Sequence, residues 1–86
     1  MIKILKLIRM ENSGNLRGFF EVEIKGTIIR ECRIIQQEGQ RAYIAGPQLH
    51  LGTGKWVTLV SFSPELRDQI QDLVLPQAAE LKIIRA

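Results

Sequence analysis

Arg33-Ile34-Ile35, then Arg41-Ala42-Tyr43-Ile44-Ala45-Gly46-Pro47, then Ser63-Pro64-Glu65-Leu66-Arg67 running on through Ile70-Gln71-Asp72: this order of segments decides the fold. The first two are rich in β-branched residues and read as strands, and Pro47 ends the second because it has no N–H for a ladder hydrogen bond. The third opens a helix. Ser63 stands at the N-cap, Pro64 at the first helical position, and Glu65 beside the positive end of the helix dipole. Leu66, Ile70, Leu73 and Val74 make one apolar stripe, opposed by Arg67, Asp68, Gln71 and Asp72. Pro76 stops or kinks the helix, so its expected span is about 64–75.

Upstream, Ile2 to Arg9 alternates as a strand does, and Glu11-Asn12-Ser13-Gly14-Asn15 is a run of turn formers. Phe20, Val22 and Ile24 alternate with Phe19, Glu21 and Glu23, the pattern of a half-buried strand. Lys25-Gly26 supplies a tight reversal into Thr27–Gln36. That strand is apolar on both faces, with Ile28, Cys32 and Ile34 on one and Ile29 and Ile35 on the other. Glu38-Gly39 is a further turn before Arg41–Ala45. Gln48 to Gly54 reads as a glycine-punctuated mobile loop, and Trp56 to Phe62 as a fifth strand. Residues 77–86 are ambiguous between a strand and a short helix, the helix being favoured.

The expected fold class is therefore α+β: a curled antiparallel sheet of four to five strands over about 2–62, then one amphipathic C-terminal helix, in a single domain spanning 1–86. One helix shields one sheet face. The apolar second face of Thr27–Gln36, with Leu5 and Leu7 opposed to Ile2, Ile4 and Ile8 on the first strand, leaves surface to cover. In so small a chain the expected cover is a second copy, hence a homodimer.

A composition 45% hydrophobic and 24% charged is that of a globular domain. No apolar run approaches the roughly 18–20 residues of a spanning helix, so no membrane partner is expected. Lysines interrupt Ile2–Leu7 and no small-residue cleavage site follows, which reads as a cytoplasmic protein without a signal peptide. The single Cys32 excludes an internal disulfide and reads as a packing residue. Residues 1–62 hold nine Lys and Arg against five Glu, and residues 63–86 hold three against four acids. The cationic excess thus lies on strands and loops, a bias that permits phosphate binding without demanding it.

Catalytic constellations are wanting. His50 has no ligand partner at metal-binding spacing, and Ser61 or Ser63 with His50 lacks a nucleophile elbow. Gly52-Thr53-Gly54-Lys55 fails the phosphate-loop pattern twice, at Leu49 and Trp56. Arg17-Gly18-Phe19-Phe20-Glu21-Val22 echoes an RNA-recognition strand, but Glu21 stands where the stacking aromatic belongs. No enzyme, cofactor, metal or small-molecule substrate is expected. Arg33, Arg41, His50, Lys55 and Arg67 remain as candidate phosphate contacts, with Tyr43 or Trp56 available to stack. Taken singly, each cation reads more simply as a surface charge; Arg33 would pair with a cross-strand Glu, and Arg67 with Glu65 or Asp68.

The elements Glu31-Cys32-Arg33-Ile34-Ile35, Ala45-Gly46-Pro47, Gly54 before Trp56, and Arg67-x-x-Ile70-Gln71-Asp72-x-Val74-Leu75 resemble, in order and spacing, the bacterial stage V sporulation protein G (SpoVG) family. The resemblance spans nearly all of Ile2 to Leu75. It implies a dimeric, non-enzymatic regulator linked to septation or sporulation that binds DNA and RNA, with intermolecular strand contacts. Arg33 matches the family's strand arginine, Arg67 its helix arginine and Pro47 its closing proline. The chain departs where the family has a basic loop, here Gln48-Leu49-His50, and where it has an aspartate, here Thr58. Leu81-Lys82-Ile83-Ile84-Arg85 replaces the acidic tail. The alternative expectation is a non-enzymatic protein–protein interaction or scaffold domain that keeps the fold without binding nucleic acid.

Overall fold

A computed structural model describes residues 1–85. Four strands, β1 (Ile2–Arg9), β2 (Leu16–Ile24), β3 (Thr27–Ile35) and β4 (Tyr43–Ala45), form one antiparallel sheet in the order β1-β2-β3-β4. Two short strands, β5 (Gln48–His50) and β6 (Trp56–Thr58), form a separate hairpin, and α1 (Pro64–Glu80) follows. The α+β class and the antiparallel sheet agree with the sequence. Lys25 and Gly26 turn β2 into β3 with φ of 50° and 85°, the doubly positive geometry that matches strand twist.

The helix lies on the inner face of the sheet, touching β1 and β4. Phe20, Val22, Cys32, Ile34 and Ile44 from the sheet meet Ile70, Val74, Ala78 and Ile83, all buried, in one core. Burying each of the larger side chains contributes about 1.5–3 kcal/mol. The N-terminus of α1 is capped as the sequence predicts: the Ser63 hydroxyl accepts from the Leu66 N–H at 3.2 Å, with Pro64 behind it.

Two β-bulges correct the sequence's assignment of faces. Ile4 pairs with Val22 and Lys6 with Glu21, which leaves Leu5 as an extra residue on β1. Phe20 pairs with Cys32 but Val22 with Ile29, so Arg30 and Glu31 together oppose Glu21. Glu31 takes φ of 59° to make this possible. Each insertion reverses the inside–outside phase. Ile29 therefore packs on the core and Ile28 faces out, the reverse of the alternation expected for Ile28 with Cys32. On β1, Ile2, Ile4 and Leu7 turn inward while Leu5 and Ile8 are exposed. The outer face of β3 carries Arg30 and Arg33 between Ile28 and Ile35, so it is less apolar than strict alternation implies.

Three further expectations are corrected. Gln48–His50 is not a loop: it pairs with Trp56–Thr58 in the register Gln48↔Thr58, Leu49↔Val57, His50↔Trp56. No fifth strand over 56–62 joins the main sheet; β6 ends at Thr58 and the chain crosses over the end of β4. The crossing is tight, because a Cβ at Gly46 would collide with the Val60 carbonyl oxygen. Finally, α1 runs through Pro76 to Glu80, with no second helix after it among the described residues. The proline forfeits one bond, to the carbonyl of solvent-exposed Asp72, while buried Ala78 holds the next turn on the core. A Schellman-type end closes the helix: Lys82 N–H donates to Ala79 O at 3.1 Å and Ile83 N–H to Ala78 O at 2.8 Å. Of the segment 77–86, Ala86 lies outside the described residues.

Candidate nucleic-acid interface

Arg33 sits in β3 between Cys32 and Ile34, both inward, so its side chain emerges on the outer face of the sheet. Its cross-strand neighbours are Phe19 on β2 and Ala45 on β4. The guanidinium carbon lies 5.3 Å from the centre of the Phe19 ring. Trp56, at the start of β6, places its ring centre 5.4 Å from the same carbon. Trp56 in turn meets His50, its hairpin partner, at 4.5 Å between ring centres and 36° between planes. Four flat groups, Phe19, Arg33, Trp56 and His50, thus form a chain of contacts.

The charge at the middle of this series lacks a counterion. The ion pairs among the described residues are Arg9 with Glu11 at 3.9 Å and Arg30 with Glu21 at 3.6 Å. The glutamate pairing expected of Arg33 is absent because the bulge sets Arg30, instead, against Glu21. Arg33 Nε is buried and has no hydrogen-bond partner. Two ring faces compensate part of the desolvation of a guanidinium, each contributing about 0.5–2 kcal/mol. Nε itself is closed to solvent, so an oxyanion in the plane of the guanidinium would meet its terminal N–H groups.

The other candidates separate into two places. Lys55 lies in the turn between β5 and β6, so with His50 it belongs to the hairpin whose aromatic face meets Arg33. Arg41 is exposed in the β3–β4 connection, lining a groove with Tyr43, Asp68 and Gln71 at the edge of α1. Arg67 is exposed on α1, in the layer on the opposite side of the sheet from Arg33. It makes no ion pair with Glu65 or Asp68. The fold brings Arg33 and His50 to one ring, Trp56, which Lys55 adjoins in sequence, and leaves Arg41 and Arg67 elsewhere.

Phe19 has a role the sequence did not assign. By alternation it shares the outward face of its strand with Glu21 and Glu23; the structure sets its ring against Arg33. The signal was present in the register, since Phe19 and Arg33 are two residues from Glu21 and Glu31 on strands joined by a two-residue turn, but the bulge at Glu31 hides the pairing. The acidic neighbour Glu21 is occupied by Arg30.

The remaining reactive group is silent. Cys32 is fully buried, and burial, with the nearby Glu21 charge as a lesser cause, pushes its thiol from 9.0 up to about 12. No group of three or more His, Cys, Asp or Glu among the described residues is placed to hold a metal ion. No helix among them is long and apolar enough to cross a membrane. Comparison with protein-family models, with curated proteins and with solved structures found no match to this chain.

Proposed function

We propose that this chain is a small non-enzymatic nucleic-acid-binding regulator of SpoVG type, acting as a homodimer and mainly through contacts to the phosphate backbone. The observation that carries this proposal is the Arg33 guanidinium, flanked by Phe19 and Trp56 and without a carboxylate partner. A phosphate oxygen is the ligand such a group is shaped to accept. Lys55 is exposed next to Trp56 in the chain, and the net charge of +3 favours approach to a polyanion. The resemblance of the strand, proline and helix elements to the SpoVG family supplies the link to septation or sporulation control. Exposed Leu5, Ile8 and Ile28 on the open sheet face support self-association.

A shift assay on single-stranded DNA, duplex DNA and RNA at two salt concentrations tests this. Affinity should fall steeply with salt, since each neutralised phosphate releases counterions. No binding to any of the three at low salt would end the proposal.

One observation favours the alternative, a protein–protein interaction or scaffold domain. The face of the β5–β6 hairpin opposite His50 and Trp56 carries Leu49 and Val57, paired and exposed. An aliphatic pair held out on a hairpin suits a protein partner better than a phosphate backbone.

A further inference from the structure

We infer that the Phe19–Arg33–Trp56–His50 series is a single-strand site, which takes one unpaired nucleobase against the exposed rings and an adjacent phosphate on Arg33. The inference rests on the nucleic-acid proposal and narrows it to a class of ligand. Two separate features call for two separate chemical groups. The unpaired charge of Arg33 calls for an oxyanion, which would meet the terminal N–H groups because Nε is closed to solvent. The outer rings call for a flat partner: Trp56 is 57% exposed and His50 beyond it is exposed as well, although both are already aligned by their hairpin pairing.

A nucleotide carries both groups within one residue. In a duplex the base faces are covered by their neighbours, so a stacked ring on the protein gains nothing from them. In a single strand each base has a free face, and stacking on an aromatic side chain is sequence-tolerant. The pre-alignment matters too. Phe19 and Trp56 both contact the guanidinium, and the β5–β6 ladder pairs the backbones that carry the two outer rings, so less rotamer freedom is lost on binding. Glu21, an acid two residues from Phe19 on β2, is partly neutralised by Arg30.

The chain has one tryptophan, so its intrinsic fluorescence reports on this site alone. The test titrates the full chain with four labelled probes at low salt: a single-stranded oligonucleotide, the matching RNA, its duplex, and an abasic strand that keeps phosphates but lacks bases. Label anisotropy gives affinity and Trp56 emission gives stacking. Both single strands are expected to quench Trp56 and to bind about ten-fold or more tighter than the duplex, with the abasic strand weaker and silent in fluorescence. His50→Ala, at an exposed side chain, should cost the single strands about five-fold and the duplex less than two-fold. Equal affinity for single strand, duplex and abasic strand without quenching would overturn the single-strand site and leave backbone binding standing. No anisotropy change with any probe would overturn the nucleic-acid proposal itself.

Discussion

The side-chain amide of Gln36 pairs with the backbone of Arg85 in both directions, Nε2 donating to the Arg85 carbonyl at 3.2 Å and Oε1 accepting from the Arg85 N–H at 2.9 Å. The same Nε2 also donates to Gln40 O at 3.1 Å, while Gln36 O accepts from Arg17 Nε at 3.0 Å. One buried glutamine just past β3 thus stands in for a missing strand partner and moors the tail after α1. Gln36→Leu strands the polar groups of Arg85 beside an apolar side chain. It should cost about 2 kcal/mol in chemical denaturation, with faster amide exchange at residues 83–85.

Gly18 has no room for a side chain. An added Cβ would stand 2.5 Å from Ile8 O and 3.0 Å from Ile83 Cγ2, the first a backbone atom of the paired strand. Gly18→Ala should destabilise by about 1–3 kcal/mol. Combining it with Ile83→Ala, which removes that Cγ2 methyl, should destabilise by less than the sum of the two single losses in the same unfolding measurement without rescuing Gly18→Ala, because the carbonyl cannot retreat.

Lys82 adopts φ of 58° at the end of α1, a conformation that costs a residue with a Cβ roughly 1–2 kcal/mol. Glycine has no such penalty but loses more chain entropy on folding. Lys82→Gly should therefore raise stability by up to about 1 kcal/mol in thermal or denaturant unfolding.

The Cys32 thiol is protonated more tightly in the fold, at about 12, than in the unfolded chain at 9.0. Its contribution to stability is complete below pH 9 and is lost as pH rises towards 12. The difference in unfolding free energy between the wild type and Cys32→Ala should shrink across that window. At neutral pH, thiol labelling should be negligible in the native protein and rapid in denaturant.

Arg33 and Arg67, equivalent by sequence, are separated by the sheet. Arg33→Glu should lower nucleic-acid affinity at least ten-fold and flatten its salt dependence, whereas Arg67→Glu should change affinity less than three-fold. Equal losses would mean that the interface wraps both faces. Size-exclusion chromatography with light scattering on both variants checks that the assembly is unchanged.

Much of the architecture was legible in the chain. Ser63-Pro64-Glu65 announces its helix because a cap is a local interaction, completed within three residues by the Leu66 N–H. Lys25-Gly26 announces its turn for the same reason. Phe20 and Val22 declare the buried face of β2 through simple alternation. The failures share a cause of their own. Alternation counts residues, and the bulges at Leu5 and Glu31 each add one that no local propensity marks. Pro76 looks like a stop until Ala78 and Ile83 are seen docked on the sheet. Of the candidate site, Arg33, His50 and Trp56 could be named from sequence, but their mutual stacking could not.

The sequence alone determined the local grammar: four strands, a capped helix, one inert cysteine and a cationic excess before residue 63, since each depends on neighbours a few positions away. Only the tertiary structure decided which isoleucines face inward, how far the helix runs past Pro76, and which cations meet. Those outcomes turn on strand register and on long-range packing, where the inserted Glu31 sets Arg30 against Glu21 and leaves Arg33 between two rings with its charge unanswered.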